Sequence, residues 1–220
     1  HLLAFADDAA LSEGVEGTKT KRNSMALANM RYNLSFFWDA QDLTMEEQVL
    51  HPVENHIEMG MEDFTKLSSK LSTVDYYGPL FEAAFGTPEV NEGRIAQAMA
   101  QFIRSMVSFQ SKYDRGLASD FSNFSSMELM GKEVFESHKA KCGDCHRPDH
   151  NFSVSWRGTV NIGLDMDYAD EGAGNGSFRV PSLRNIGRTA PYMHDVRVAT
   201  LEDVINHYNE GILNHASFDW

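Results

Sequence analysis

Cysteine is scarce in this chain. Two occur in 220 residues, Cys142 and Cys145, so no spare thiol remains for a disulfide or a separate cysteine-rich metal cage. Long apolar runs are missing too. None approaches the roughly 18 residues that a membrane-spanning helix needs. No secretory signal opens the chain, because His1 leads directly into a mixture of polar and apolar residues. Positive charge is in deficit: 19 Lys and Arg stand against 32 Asp and Glu, a formal net charge of −13. A surface of that sign argues against nucleic acid as a partner. Strand signals are weak throughout. What remains is a 42% hydrophobic, 23% charged composition, that of a globular chain long enough for one large or two small domains.

The two cysteines fall in Cys142-Gly143-Asp144-Cys145-His146. This is the C-x-x-C-H form that attaches a c-type haem. Two thiols at this spacing can add to neighbouring vinyl groups while the next imidazole reaches the iron. A redox dithiol is an alternative, but it calls for a βαβ context, and the flanks here look helical. A zinc site could draw on Cys142, Cys145 and two of His138, His146 and His150, though paired ligand knuckles are the usual form. Covalent haem implies maturation outside the cytoplasm, so a periplasmic location is expected, with a signal removed or lying outside this chain.

Around the motif the pattern is helical segments joined by long loops. Thr44-Met45-Glu46-Glu47 is a capping box that predicts a short helix through Leu50, closed by Pro52. Asn91 caps the clearest helix, with Ile95, Met99, Phe102 and Met106 on one face. Ser125-Ser126-Met127-Glu128 is a second capping box. The helix it starts carries Leu129, Val134 and Phe135 and leads into the haem motif. Thr200 caps a last helix with Leu201, Val204 and Tyr208 on one face and Gly211 as its stop. Between His146 and Pro181 the chain is rich in Gly, Asp and Asn and reads as a long loop around a cofactor edge. The expected fold is mainly α: two cytochrome c-like domains, 1–124 and 125–220, with long loops and few or no strands.

Several further motifs occur in order. They are Lys21-Arg22-Asn23-Ser24, Phe36-Phe37-Trp38-Asp39, Glu46-Glu47-Gln48 and Glu54-Asn55-His56-Ile57-Glu58-Met59-Gly60. Phe178-Arg179-Val180-Pro181-Ser182-Leu183-Arg184-Asn185 and Thr189-Ala190-Pro191-Tyr192-Met193-His194-Asp195 follow. Together they resemble the bacterial dihaem cytochrome c peroxidase family, which includes MauG-type enzymes, over nearly the whole chain. That family carries two c-type haems in two cytochrome c-like domains. Here the first C-x-x-C-H is absent, and His1-Leu2-Leu3-Ala4-Phe5-Ala6-Asp7 resembles the segment just after it. The final helix expected after Trp220 is also absent. A fragment trimmed at both ends is therefore expected, a monohaem derivative being the alternative.

The resemblance implies roles for individual residues. Peroxide would bind the open face of the first haem beneath Glu58 and Gln48, ten residues apart across Pro52. A carboxylate there can move a proton between the peroxide oxygens, and a neutral amide can orient the peroxide. Without the resemblance, Gln48 reads as a surface helix residue and Glu58 as a solvated loop acid. Trp38 matches the tryptophan that carries electrons between haems, a role compatible with that of a core aromatic. Asn23, with carbonyls near Thr189 and Pro191, matches a calcium site between the haems, a hard-oxygen set that suits the ion. His146 is the proximal ligand of the second haem. Its distal ligand is Tyr208, nineteen residues beyond Thr189, where MauG-type enzymes have tyrosine. Met193 is the alternative, since His/Met ligation is common in cytochromes c. Other members supply a haem-blocking histidine in the loop that corresponds to Ser12–Arg22. This loop has none, which implies an open first haem.

The function so implied is periplasmic reduction of hydrogen peroxide to water, with electrons entering through the C-terminal haem from a small cytochrome c or a cupredoxin. The alternatives are MauG-type, peroxide-driven oxidation of a partner protein's side chains, and a non-enzymatic electron-transfer cytochrome. The resemblance also implies a homodimer, although no interface is legible in the sequence.

Overall fold

Thr44 opens the first helix through both halves of its capping box. Its side chain accepts the Glu47 amide, and the Glu47 carboxylate takes the Thr44 N–H at 3.1 Å. The computed structural model describes residues 2–150, 152 and 158–214. Helix α1 spans Met45–Gln48. It does not run on to Leu50 and stop at Pro52, as the sequence predicts. The chain pauses and restarts as α2 (His51–Glu54) with Pro52 in its first turn. Proline is tolerated there because first-turn N–H groups have no intrahelical acceptor to lose.

Helix α3 (Phe64–Ser72) is capped by Asp63, and α4 (Tyr77–Phe85) ends at Gly86 in the left-handed region, φ 82°. Helix α5 (Glu92–Ser105) starts at Asn91 as expected, its side chain accepting the Arg94 amide. The buried face of α5 departs from the one read in the sequence. Phe102 is 66% exposed, and the core falls on Ile95, Ala96, Ala100 and Ile103. The two alanines allow close approach: Ala96, Ala100 and Ile103 pack with Met30, Phe36, Met45 and Val49. On its other flank Ile95 joins Val53, Phe64 and Phe81. Burying each large apolar side chain contributes about 1.5–3 kcal/mol, so α5 is the element on which the N-terminal half closes.

Helices α6 (Lys112–Leu117) and α7 (Ser126–Glu136) both open on full capping boxes, at Ser111 with Asp114 and at Ser125 with Glu128. The α7 start matches the sequence reading, but the helix buries none of its residues, and Val134 is among its exposed ones. Helix α8 is the single turn Cys142–Cys145. The Gly-rich stretch after it holds β1 (Thr159–Val160) and β2 (Phe178–Arg179), an antiparallel pair with Thr159 opposite Arg179. Helix α9 (Leu201–Asn206) begins at Thr200 as predicted, and its end widens into a π-type turn over His207–Gly211. The fold is thus mainly helical, with a two-stranded sheet among the described residues. No helix of the described residues is long and apolar enough to cross a membrane.

The two halves of the chain meet along one seam. Arg22 bridges Asp39 at 2.6 Å and Asp170 at 2.7 Å, which holds the Asp170 carboxyl down at about 2. The Arg179 amide donates to the Trp38 carbonyl at 2.7 Å, and Arg184 forms a double hydrogen bond with Asp114.

Candidate active site

The haem-attachment motif is built by a left-handed residue and one helical turn. Lys141 (φ 54°) turns the chain into α8, and the His146 amide closes the turn on the Cys142 carbonyl at 2.8 Å. Residues three apart share a helix face, so both thiols point the same way, half-buried and not joined in a disulfide. Burial pushes the Cys142 thiol pKa up, the reverse of what a reactive redox dithiol needs. The His146 Nδ1 lies 3.0 Å from the Phe152 carbonyl. A carbonyl can only accept, so Nδ1 carries the proton and Nε2 keeps its lone pair. Burial pushes the imidazole pKa down, against hydrogen bonding of the ring to the Phe152 and Pro181 carbonyls, which keeps the ring neutral and able to ligate a metal. Among the described residues no three His, Cys, Asp or Glu side chains group as a metal site, so the zinc reading gains no support. The His150 side chain lies outside the described residues.

Tyr208 stands in the π-type turn close to this motif. Burial, with the Cys145 and Cys142 sulfurs adding to it, pushes its phenol up to about 12. The turn is anchored by His207, whose Nε2 lies 2.9 Å from the Ile162 carbonyl. Met193 occupies a left-handed position (φ 69°) between buried Tyr192 and His194. Two thiols on one turn, a neutral imidazole with Nε2 available and a half-buried phenol fit a covalently attached haem.

Trp38 lies on the seam. Its indole N–H donates to the Asn23 carbonyl at 2.9 Å. Its ring stands edge-on to His194 at 6.4 Å, and His194 stacks on Phe178 at 3.8 Å. Burial lowers the His194 pKa, which keeps this aromatic row uncharged. Asn23 also ties the halves together: its backbone N–H donates to the His194 carbonyl at 2.7 Å, and its side-chain amide lies 2.6 Å from the Pro191 carbonyl.

Gln48 and Glu58 are brought onto one folded unit. After α2 the chain doubles back, with the Met59 amide on the Pro52 carbonyl at 3.1 Å and Met61 on Val53 at 2.9 Å. Glu58 accepts from the Asn55 side-chain amide at 2.9 Å. The Gln48 Oε1 is buried and has no hydrogen-bond partner among the described residues. Such an oxygen marks a place for a donor.

The histidine-free loop rests directly on this turn, with the Val15 amide 2.9 Å from the Glu58 carbonyl. A Cβ on Gly14 would lie 1.2 Å from the Ile57 carbonyl oxygen, so no other residue fits without moving backbone. Gly14→Ala is expected to lift the loop off the Glu58 turn and cost about 1–3 kcal/mol of stability. Thermal melting together with tryptic cleavage at Lys19 and Lys21 checks this. An unchanged melting temperature with unchanged cleavage would refute it.

Sequence reading missed several positions that build this region: Phe152, whose carbonyl lies against His146, the stacked His194, and buried Arg179. All three lie in loops or in two-residue strands, where no periodicity marks them. The only available signal was that Arg179 and His194 sit inside quoted motifs.

Residues 1–122 match the family model described as di-haem cytochrome c peroxidase. Among curated proteins the chain is 31% identical to the methylamine utilization protein MauG of Methylophilus methylotrophus, over 97% of this chain and 65% of that protein. It is also 31% identical to the cytochrome c551 peroxidase of Nitrosomonas europaea, over 92% of this chain and 63% of that protein. The chain therefore spans just under two thirds of these relatives. Among solved structures it is similar to a MauG-like protein associated with microbial copper homeostasis, with a TM-score of 0.85, 32% identity, and coverage of 99% of this chain and 71% of that one. With the model match extending over more than half of its length, the chain belongs to the di-haem cytochrome c peroxidase family.

Proposed function

We propose that the protein reduces hydrogen peroxide to water in the periplasm, H2O2 + 2 electrons + 2 protons giving 2 H2O. In this reading it has two cytochrome c-like domains, 1–124 and 125–220. The observation that carries it is the buried Gln48 Oε1 without a partner, on the same folded unit as Glu58. Peroxide is a hydrogen-bond donor of the size such an oxygen accepts. When bound, haem supplies a redox-active iron at each of two positions, one attached through Cys142 and Cys145 and the other in the N-terminal half. Gln48 orients the peroxide by accepting one of its O–H groups. Glu58 takes the proton from one peroxide oxygen and delivers it to the other, which leaves as water. Trp38 lies on the seam that an electron crosses from the C-terminal half. A small cytochrome c or a cupredoxin is the proposed donor, and a homodimer the proposed assembly.

His146 and Tyr208 are the residues that would hold the iron of the C-terminal haem. Calcium is proposed between Asn23 and the Thr189 and Pro191 carbonyls. The 2.6 Å approach of the Asn23 amide to the Pro191 oxygen supports this. Amide O and N are interchangeable in assignment, and with the amide turned, two oxygens would face one cation.

Tyr208 beside the cysteine pair favours a second reading, peroxide-driven oxidation of a partner protein's side chains. A phenolate is a hard anionic donor that stabilises high oxidation states, whereas a thioether does the reverse. A pyridine haemochrome assay on the full-length protein tests the shared basis of both readings, and two haems per chain are expected. Peroxide turnover with a reduced small cytochrome then separates them. One haem per chain would defeat the peroxidase mechanism. Two haems with no turnover of the cytochrome, but with modification of a protein substrate, would favour the second reading.

A further inference from the structure

Arg179 is the one buried arginine among the described residues that has no carboxylate partner. It is 5% exposed. Its Nε donates to the Phe37 carbonyl at 2.9 Å, and one terminal nitrogen approaches the Met25 sulfur at 3.2 Å. The other seam arginines each hold acids: Arg22 has Asp39 and Asp170, and Arg184 has Asp114. A guanidinium presents five N–H donors, and these contacts engage two of them. A buried cation with no counter-charge is among the most expensive groups a fold can hold. Desolvation pulls its pKa down to about 10, and no acid among the described residues offsets that.

Its place in the chain identifies the missing partner. The Arg179 backbone is fastened to Trp38 at the seam. Two residues later, the Pro181 carbonyl faces the His146 imidazole. Two residues of extended chain span about 7 Å, so the Arg179 backbone lies within a short reach of the ring proposed to hold the C-terminal haem, while its guanidinium sits on the seam against Phe37 and Met25. An anion that reaches this buried position must come with the haem or diffuse into the seam. Haem brings two propionate carboxylates, and a carboxylate matches the planar fork of a guanidinium with two parallel hydrogen bonds.

We propose that Arg179 pairs with a propionate carboxylate of the haem carried by Cys142 and Cys145, and so serves both as an anchor for that haem and as a setter of its potential. The proposal rests on the haem attachment described above. Removing the positive charge leaves the carboxylate unneutralised beside the iron and stabilises the oxidised form.

The test uses full-length holoprotein in three forms: wild type, Arg179→Gln and Arg179→Lys. Haem on Cys142 and Cys145 is verified first by mass spectrometry of the haem peptide. Spectroelectrochemical titration of that haem should show Arg179→Gln shifted about tenfold toward the oxidised form in its reduction equilibrium, 59 mV for one electron. Arg179→Lys keeps the charge and loses the fork. It should stay within about twofold of wild type, with its resonance Raman propionate band displaced. A loaded Arg179→Gln protein with wild-type potential would overturn the pairing alone, as would a shift confined to the other haem. If the Gln variant fails to load, an unmoved propionate band in the Lys variant overturns it equally. A wild-type potential that follows chloride or phosphate concentration would assign the site to a free anion instead. A wild-type chain with no haem on these cysteines would overturn the attachment and the pairing together.

Discussion

Replacing Glu58 by glutamine should lower peroxide turnover by about 10²–10⁴-fold, the usual worth of a positioned general acid–base, while haem content and optical spectra stay at wild-type values. The substitution is close to isosteric. The Asn55 amide that donates to Glu58 Oε1 at 2.9 Å can donate equally to a glutamine Oε1. The backbone bonds that fold the turn onto α2, Met59 to Pro52 and Met61 to Val53, involve no side chain at residue 58. The loop contact from Val15 reaches the Glu58 carbonyl and is likewise untouched. What the variant loses is a group that can accept a proton from one peroxide oxygen and return it to the other. Steady-state turnover with a reduced small cytochrome, normalised to haem, is the measurement. A variant within tenfold of wild type would remove Glu58 from the proton path and return it to the role of a solvated loop acid.

The positions that the sequence made legible share a physical property: each is specified by a local rule. A helix cap needs only residues three apart, so Thr44, Asn91, Ser125 and Thr200 are all legible as helix starts, and each caps its helix, Thr44 and Ser125 through full capping boxes. C-x-x-C-H is likewise a one-turn device, and the structure folds it as one turn. Rules that depend on a partner element were less legible. Phe102 looked like core on size and periodicity, but α1 crosses α5 over Ala96 and Ala100, and the bulkier side chain was turned outward. Pro52 looked like a terminator because proline ends helices from within; here a second short helix begins around it. The site divides the same way. Cys142, Cys145 and His146 follow from spacing. The Phe152 carbonyl that fixes the His146 tautomer comes from an irregular loop and has no sequence signature. Gln48, Glu58, Trp38 and Asn23 were legible only through resemblance, because a lone amide, acid or indole on a short helix or loop has no pattern of its own.

Asp114→Ala is expected to destabilise the protein by about 3–5 kcal/mol, the cost of leaving a buried charge without its partner. Arg184 and Asp114 are 8% and 12% exposed, and they are joined by a double hydrogen bond at 2.9 and 2.8 Å that links residues 70 apart in sequence across the seam. The guanidinium also lies 3.9 Å over the Phe109 ring and 5.5 Å from Phe152, the residue whose carbonyl holds His146. Losing the pair should therefore disturb His146, the proposed haem ligand, as well as the fold, and the low-spin optical signature should weaken at denaturant concentrations where wild type is intact. Asp114 has a second role, since its Oδ2 accepts from the Ser111 amide and hydroxyl that cap α6. Ser111→Ala isolates that part and should cost about 0.5–2 kcal/mol. The pH dependence follows from the direction of the Asp114 shift. Burial alone would raise its pKa, but the hydrogen bonds from Arg184 and Ser111 outweigh it and the net shift is downward. A carboxyl depressed in the folded state stabilises the fold at every pH above its unfolded value, about 3.9, and that contribution is lost as pH falls through the lower folded value. Wild type should thus lose stability steeply below about pH 4, whereas Asp114→Ala, which lacks the contribution at any pH, should show a shallower acid limb. Chemical denaturation at pH 7 and pH 3 measures both quantities. Equal losses of stability for Asp114→Ala and Ser111→Ala at pH 7 would mean that the cap, and not the buried ion pair, is what Asp114 contributes.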